Sequence, residues 1–301
     1  MNINEYKGGA LPSPPDERDF RVSSCMDMPS GSVEQAIPAT FECWVPSKVY
    51  NQERTSSCTA FAMALIFSCI WHKITGEERD FSTGYIYTNP FETDWMFEGA
   101  FMRDVVKTVH KHGDILSVIG DNNDEKPDSI KWFEEHYPTF KEYSKMLVKS
   151  YVRLETKQEA MAFMYKYKIP LFVNLRMGDI TPFTSDKDGL HAVAAYKYGR
   201  LSGFSCRNSW GENNIPYITN KRFEIFREVW GIVPNEKVMF TDVDKERWSA
   251  KAIEEAAVDG IIEGFPDNSF KPEEGATREQ IAAMWERMKR YMDENYVRVK
   301  E

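Results

Sequence analysis

Between Thr55 and His72 the chain has no lysine, arginine or acidic residue, and apolar side chains fill most positions from Ala60 to Trp71. With no polar stripe, such a run predicts a helix buried between two layers rather than an amphipathic surface helix. Ser56 or Ser57 stands where it can cap the start, and Gly76 where the helix stops. A second helix is predicted over 103–112, ended by Gly113 in a left-handed cap, and a third over 157–168. Residues 169–175, 191–196 and 203–207 read as strands.

The two ends of the chain behave differently. Residues 1–36 are rich in Pro, Gly, Ser and charge, include Leu11-Pro12-Ser13-Pro14-Pro15-Asp16, and hold neither a helical nor a strand period, so they read as an extended arm. Near 239 the character changes again. An Ala-rich helix runs to Asp259, a loop follows from Gly260 to Pro272, and Thr277-Arg278-Glu279-Gln280 forms a capping box ahead of Ile281, Trp285, Met288 and Met292 at helical spacing.

The chain of 301 residues, with 42% hydrophobic and 14% aromatic content, is long enough for one large domain and a small one. A net charge of -9, without a basic cluster, argues against a nucleic-acid partner. The first ten residues lack the apolar core of a secretory signal. The uncharged run is short of apolar residues for a bilayer, so no membrane span is expected. Five cysteines, Cys25, Cys43, Cys58, Cys69 and Cys206, fit neither a disulfide framework nor a zinc site, and neither a metal nor a cofactor is expected.

Cys58 is the exception among them. It stands at the start of the apolar helix, where the helix dipole favours a thiolate, and an imidazolium neighbour would favour it further. The local sequence is Asn51-Gln52, five residues, then Cys58-Thr59-Ala60-Phe61; Gly189-Leu190-His191-Ala192-Val193 and Asn208-Ser209-Trp210-Gly211 follow far downstream. These three motifs, in this order, resemble those of the papain-like cysteine peptidases, whose histidine and asparagine follow the cysteine by roughly 130 to 150 residues. The resemblance implies an α+β, two-lobed fold with a helical left lobe and a β-barrel-like right lobe, over residues 37–237.

It also implies roles. Cys58 would be the nucleophile, His191 the base, Asn208 the group that orients the histidine, and Gln52 with the Cys58 N–H the oxyanion donors, while Trp210 would shield the His191–Asn208 pair and wall the primed side. Gly99 and Ala100 fall on the Gly-Gly pair whose second member meets the substrate backbone, and here that member is Ala100. Thr55 stands where secreted members carry a disulfide cysteine, and Glu53 is expected to face solvent. Residues 1–36 are too short and too irregular for the family's helical pro-region, which leaves a surface strap or a short pro-segment lying across the cleft. His72, His110, His112 and His136 are expected at the surface or at helix ends.

Residues 238–292 resemble an S-layer homology (SLH) module, a small helical unit, with 293–301 as a tail. That resemblance implies binding of a secondary cell-wall polysaccharide, with Asp242 and Arg278 as the positions carried over. Such modules usually act in threes, and a single copy is present here. The leading expectation is a bacterial or phage cysteine endopeptidase acting on protein or peptide substrates, in the cytoplasm or a virion, or at the cell envelope if exported by another route. The alternatives are a catalytically weak scaffold of an envelope or virion, and a thiol acyltransferase or ligase that uses the same acyl-enzyme. The sequence leaves the oligomeric state open.

Overall fold

The computed structural model describes residues 8–14, 16, 19, 37–88, 99–117, 147–181, 188–220, 222–235, 240, 242–244, 246–258, 261–265 and 269–296. In chain order these form β1 (Ala10–Leu11), β2 (Thr40–Glu42), α1 (Cys58–Thr75), α2 (Thr83–Thr88), β3 (Ala100–Phe101), α3 (Met102–His112), β4 (Val148–Arg153), α4 (Lys157–Tyr167), β5 (Leu171–Arg176), α5 (Met177–Ile180), β6 (Leu190–Gly199), β7 (Gly203–Arg207), β8 (Tyr217–Asn220), β9 (Glu228–Pro234), α6 (Ala250–Val258) and α7 (Arg278–Tyr296). The predicted helices and strands stand within a few residues of these bounds. Cys25, His136, Asp259 and Gly260 lie outside the described residues.

One curled sheet organises the chain in the order β3-β1-β6-β5-β9-β4, with β2 and β7 also on β6 and β8 on β7. Alternation along its central strands splits the core in two. Ala192 and Ala194 of β6 and Phe172 of β5 face the cluster built around α1 and α3, whereas Val193, Ala195, Leu171, Val173 and Leu175 face a second cluster with α4. Helix α1 is the centre of the first cluster. All of its residues except His72 and Lys73 are buried, as its missing polar stripe predicts. By length and composition it could cross a membrane, but here it lies inside the fold.

Local signals decide the ends of these helices. Gly76 closes α1 in the left-handed conformation at φ 77, with its N–H on His72 O. Ser57 holds the N-cap position of α1, but its side chain makes no capping bond; its Oγ lies 2.7 Å from Thr55 Oγ1. Gly113 has φ 66 but ψ -152, so α3 ends on a positive φ without the left-handed cap that was expected. Thr156 and Glu159 form a reciprocal capping box ahead of α4, a signal the sequence reading passed over. The box at Thr277 and Gln280 is present as expected, with bonds of 2.8 and 3.1 Å. It opens α7, whose Ile281, Trp285, Met288 and Met292 all remain on the surface.

Candidate active site

Cys58 is the first residue of α1, and its Sγ accepts a hydrogen bond from Ala192 N–H at 3.4 Å, which places the thiol beside the residue after His191. β6 presents His191 and the turn after β7 presents Asn208, so α1 and the sheet deliver the two halves of the site from opposite sides. His191 Nε2 lies 2.7 Å from Asn208 Oδ1. The orientation of Asn208 is set by its other bonds: Oδ1 also accepts from Ser209 N–H at 2.9 Å, and Nδ2 donates to Ile215 O at 2.8 Å. An amide oxygen only accepts, so His191 Nε2 carries the proton and Nδ1 keeps its lone pair. Nδ1 is buried and has no hydrogen-bond partner among the described residues.

The loop 208–211 is pinned to the strand-like segment before α1. Gln52 N–H donates to Ser209 O at 2.8 Å, Gly211 N–H donates to Tyr50 O at 2.9 Å, and Asn51 pairs with Trp210 in an isolated bridge. Gly211 makes this turn at φ 77. Trp210 is fully buried, with its ring centroid 4.8 Å from that of His191, and so keeps water from the His191–Asn208 bond. Gln52 accepts from Ser209 Oγ at 2.6 Å and donates from Nε2 to Thr55 O at 2.8 Å. A side-chain amide has two N–H groups, and the second is not engaged among the described residues. Glu53 is exposed, at φ 54.

Burial controls the protonation state. His191 is completely buried, and the loss of hydration pushes its pKa down from 6.5 to about 4 against the opposing pull of Asn208. In this state the imidazole is neutral at physiological pH. Cys43 and Cys206, buried without such a partner, have thiols pushed well up by desolvation and are inert packing groups. None of Cys43, Cys58, Cys69 and Cys206 is joined in a disulfide. His72 stacks on Trp44 at 3.7 Å, and His110 Nε2 is 3.0 Å from Lys149 O. His112 is at a helix end as expected, but it is buried rather than exposed.

The N-terminal arm lies beside the site. Residues 8–14 of the arm run between the two halves of the site: Ala10 pairs with Ala100 of β3 on one side and with Leu190 of β6 on the other. Ala100 N–H donates to Gly9 O at 2.8 Å, so the position expected to meet a substrate backbone meets the arm. The fit is close. A Cβ on Gly9 would lie 1.5 Å from Ser56 O, one on Gly8 would lie 2.7 Å from Leu190 O, and one on Gly99, at φ 130, would lie 2.3 Å from Gly9 O. The arm therefore occupies the space between the residues flanking Cys58 and those flanking His191.

In the terminal module Asp242 accepts from the backbone N–H groups of Phe270 and Lys271, both at 2.7 Å, so its carboxylate holds a turn. Phe240 stacks on Phe270 at 5.0 Å, and Arg278 is exposed at the start of α7. A cavity of about 520 Å³ lies between α7 and the loop 262–275, with Lys271, Glu263 and Arg287 among its lining residues. The structure thus gives Asp242 a structural task and leaves Arg278 at the surface. Arg103, Arg153 and Glu228, which contact the arm or its anchor, belong to none of the motifs picked out in the sequence.

This is the fold of the papain-like cysteine proteases. Xylellain, a cysteine protease from Xylella fastidiosa, is similar in structure with a TM-score of 0.58 at 22% identity, over 77% of this chain and 98% of that one. The digestive procathepsin L 3 of Tenebrio molitor larval midgut is similar with a TM-score of 0.55 at 16% identity, over 77% and 76% of the two chains. Recombinant stem bromelain precursor gives a TM-score of 0.54 at 17% identity, over 78% and 80%. Residues 240–282 match the S-layer homology domain. The outer membrane protein SlpA of Thermus thermophilus is 40% identical over 55 residues, which are 18% of this chain and 6% of that protein, so the chain spans a small part of its curated relatives.

Proposed function

We propose that the chain is a cysteine endopeptidase held closed by its own N-terminal arm. The observation that carries this reading is the His191 ring, fixed by Asn208 through Nε2–H with a bare Nδ1, in the strand beside the thiol at the start of α1. Once the arm lifts, hydration returns to His191, its pKa rises, and Nδ1 takes the Cys58 proton to give the thiolate and imidazolium. The thiolate attacks a peptide carbonyl carbon, forming the S–C bond. The oxyanion is held by the Cys58 N–H and by the second N–H of Gln52. His191 then gives its proton to the leaving amine as the C–N bond breaks. Water, deprotonated by His191, hydrolyses the thioester and restores the thiol.

The residues meeting Gly8–Ala10 from both sides are the walls that an extended substrate would meet in turn. Within this reading the arm and a substrate compete for one track, with Ala100 as the backbone partner of either. For the terminal module, the match over 240–282 supports anchoring to a cell-envelope polysaccharide, with Arg278 as the exposed candidate contact.

The test is stoichiometric alkylation of Cys58 by an epoxysuccinyl peptide, after release of the arm by mild acid or limited proteolysis. Labelling is expected in the released protein and should be lost in His191→Ala. Equal labelling of both proteins would remove the activated pair. Cleavage of a casein substrate, with added amine as a competing acceptor, then separates hydrolysis from acyl transfer. For the module, a cell-wall pull-down that is indifferent to Arg278→Ala would remove that contact.

A further inference from the structure

The arm is anchored away from Cys58, and the anchor is made of charge. Ser13 N–H donates to Glu228 Oε1 at 2.7 Å, and Ser13 Oγ accepts from Arg103 N–H at 3.1 Å. Arg103 donates from Nη1 to Pro14 O, and forks onto Asp19 with Nε to Oδ1 at 2.6 Å and Nη2 to Oδ2 at 2.5 Å. Arg153 Nη1 stands between the two acids, 3.7 Å from Asp19 Oδ2 and 3.8 Å from Glu228 Oε2. The side chains of Arg103, Asp19 and Glu228 are 6%, 7% and 4% exposed.

Part of this cluster belongs to the body of the protein. Arg103 is on α3, Arg153 on β4 and Glu228 on β9. Glu228 is built in, because its Oε2 accepts from Trp230 Nε1 at 3.1 Å and its N–H donates to Asn174 Oδ1 at 2.8 Å. The body thus supplies two guanidinium groups and one carboxylate, and the arm supplies the second carboxylate, with Asp16 adding a weaker field. When the arm lifts, one positive charge loses its counter-charge in a pocket already shaped for a bidentate carboxylate. A buried charge stripped of one partner is costly, and the site then favours any acid that can reach it.

The geometry points to a substrate subsite: we propose that Arg103 and Arg153 form a carboxylate-binding site on the peptide track, filled by Asp19 in the closed protein and by an Asp or Glu of the incoming chain in the open one. This rests on the reading of the groove as a peptide track. The reach is suitable. Ser13, three residues past Ala10, already touches Arg103 and Glu228, so an acid placed a few residues from the Ala100-paired position arrives at the fork. Neutral substrates would leave the surplus charge uncompensated. Selection for acidic peptides and retention of the arm then share one pair of arginines.

The test is a binding measurement, so that an inert nucleophile would not affect it. The full chain carries Cys58→Ala to block turnover, with Asp19→Asn and Gly9→Ala to unseat its own arm. Fluorescein-labelled ten-residue peptides, each with one Asp scanned along an otherwise neutral sequence, are compared by anisotropy with their Asn counterparts. We expect at least one position at which Asp binds about tenfold tighter than Asn, a preference lost in Arg103→Gln and weakened in Arg103→Lys, which keeps the charge but not the fork. If Arg103→Gln does not fold, Arg153→Gln, at a partly exposed site, must reduce the preference. The proposal is overturned if no position favours Asp, or if the preference survives both glutamine substitutions. Alkylation of Cys58 in the chain with its native cysteine reports separately on the peptidase reading.

Discussion

Acid should open the groove, and His191 sets how far. In the closed state its pKa is about 4; for the state with the arm lifted we take the ordinary 6.5 of a hydrated imidazole. Between those values the open state binds more protons than the closed one, so closure is fully favoured above pH 6.5 and loses stability as the pH falls towards 4. The complete difference is about 3 kcal/mol at ~1.4 kcal/mol per unit. At roughly pH 5 the closed-to-open ratio should be about 30-fold lower than at roughly pH 7.5. The readout is hydrogen exchange of the Ala100 amide, which donates to Gly9 O when the arm is seated. In a Cys58→Ala background, its protection, corrected for intrinsic exchange, should fall by about that factor and should be nearly flat in His191→Gln. Protection that changes less than about threefold, or falls equally in His191→Gln, would refute the assignment of this pH response to His191.

Two further outcomes follow from close contacts. Gly9→Ala places a Cβ 1.5 Å from the backbone oxygen of Ser56, which cannot move aside. Overpacking of about 1–3 kcal/mol should shift the arm outward and raise the alkylation rate of Cys58 at neutral pH by about fivefold or more, without lowering the melting temperature of the body. Asp242→Ala leaves the amides of Phe270 and Lys271 without their acceptor and should destabilise the terminal module by about 1–3 kcal/mol. Hydrogen exchange over 240–282 should then rise while exchange over 148–234 stays unchanged.

Most of the chemistry was legible because it rides on local patterns. The apolar run from Ala60 to Trp71 predicted a buried helix, and Cys58 stands at its first turn. His191 and Asn208 were recognisable from the residues beside them, and β6 and the turn after β7 bring them to 2.7 Å. Asp242 was expected as a polysaccharide contact from the resemblance, and in the fold its carboxylate holds the turn at 270–271. Ser57 sits at the cap position without capping, because its hydroxyl is engaged with Thr55. His112, expected at a helix end, is at one and is buried. Such differences arise where a side chain has two possible partners and packing chooses between them.

The amino-acid order alone determined which groups are present and which short segments carry them, since helix periods, caps and turn residues act over a few positions. Access and charge were decided in three dimensions. Nothing in Gly8-Gly9-Ala10 announces that it threads between Ser56 and Leu190, and nothing near Arg103 in the chain announces Asp19, 84 residues away. The same applies to His191, whose neutral state comes from burial by remote segments rather than from any adjacent residue. Desolvation and ion pairing depend on what surrounds a group in space, and only the folded chain defines those surroundings.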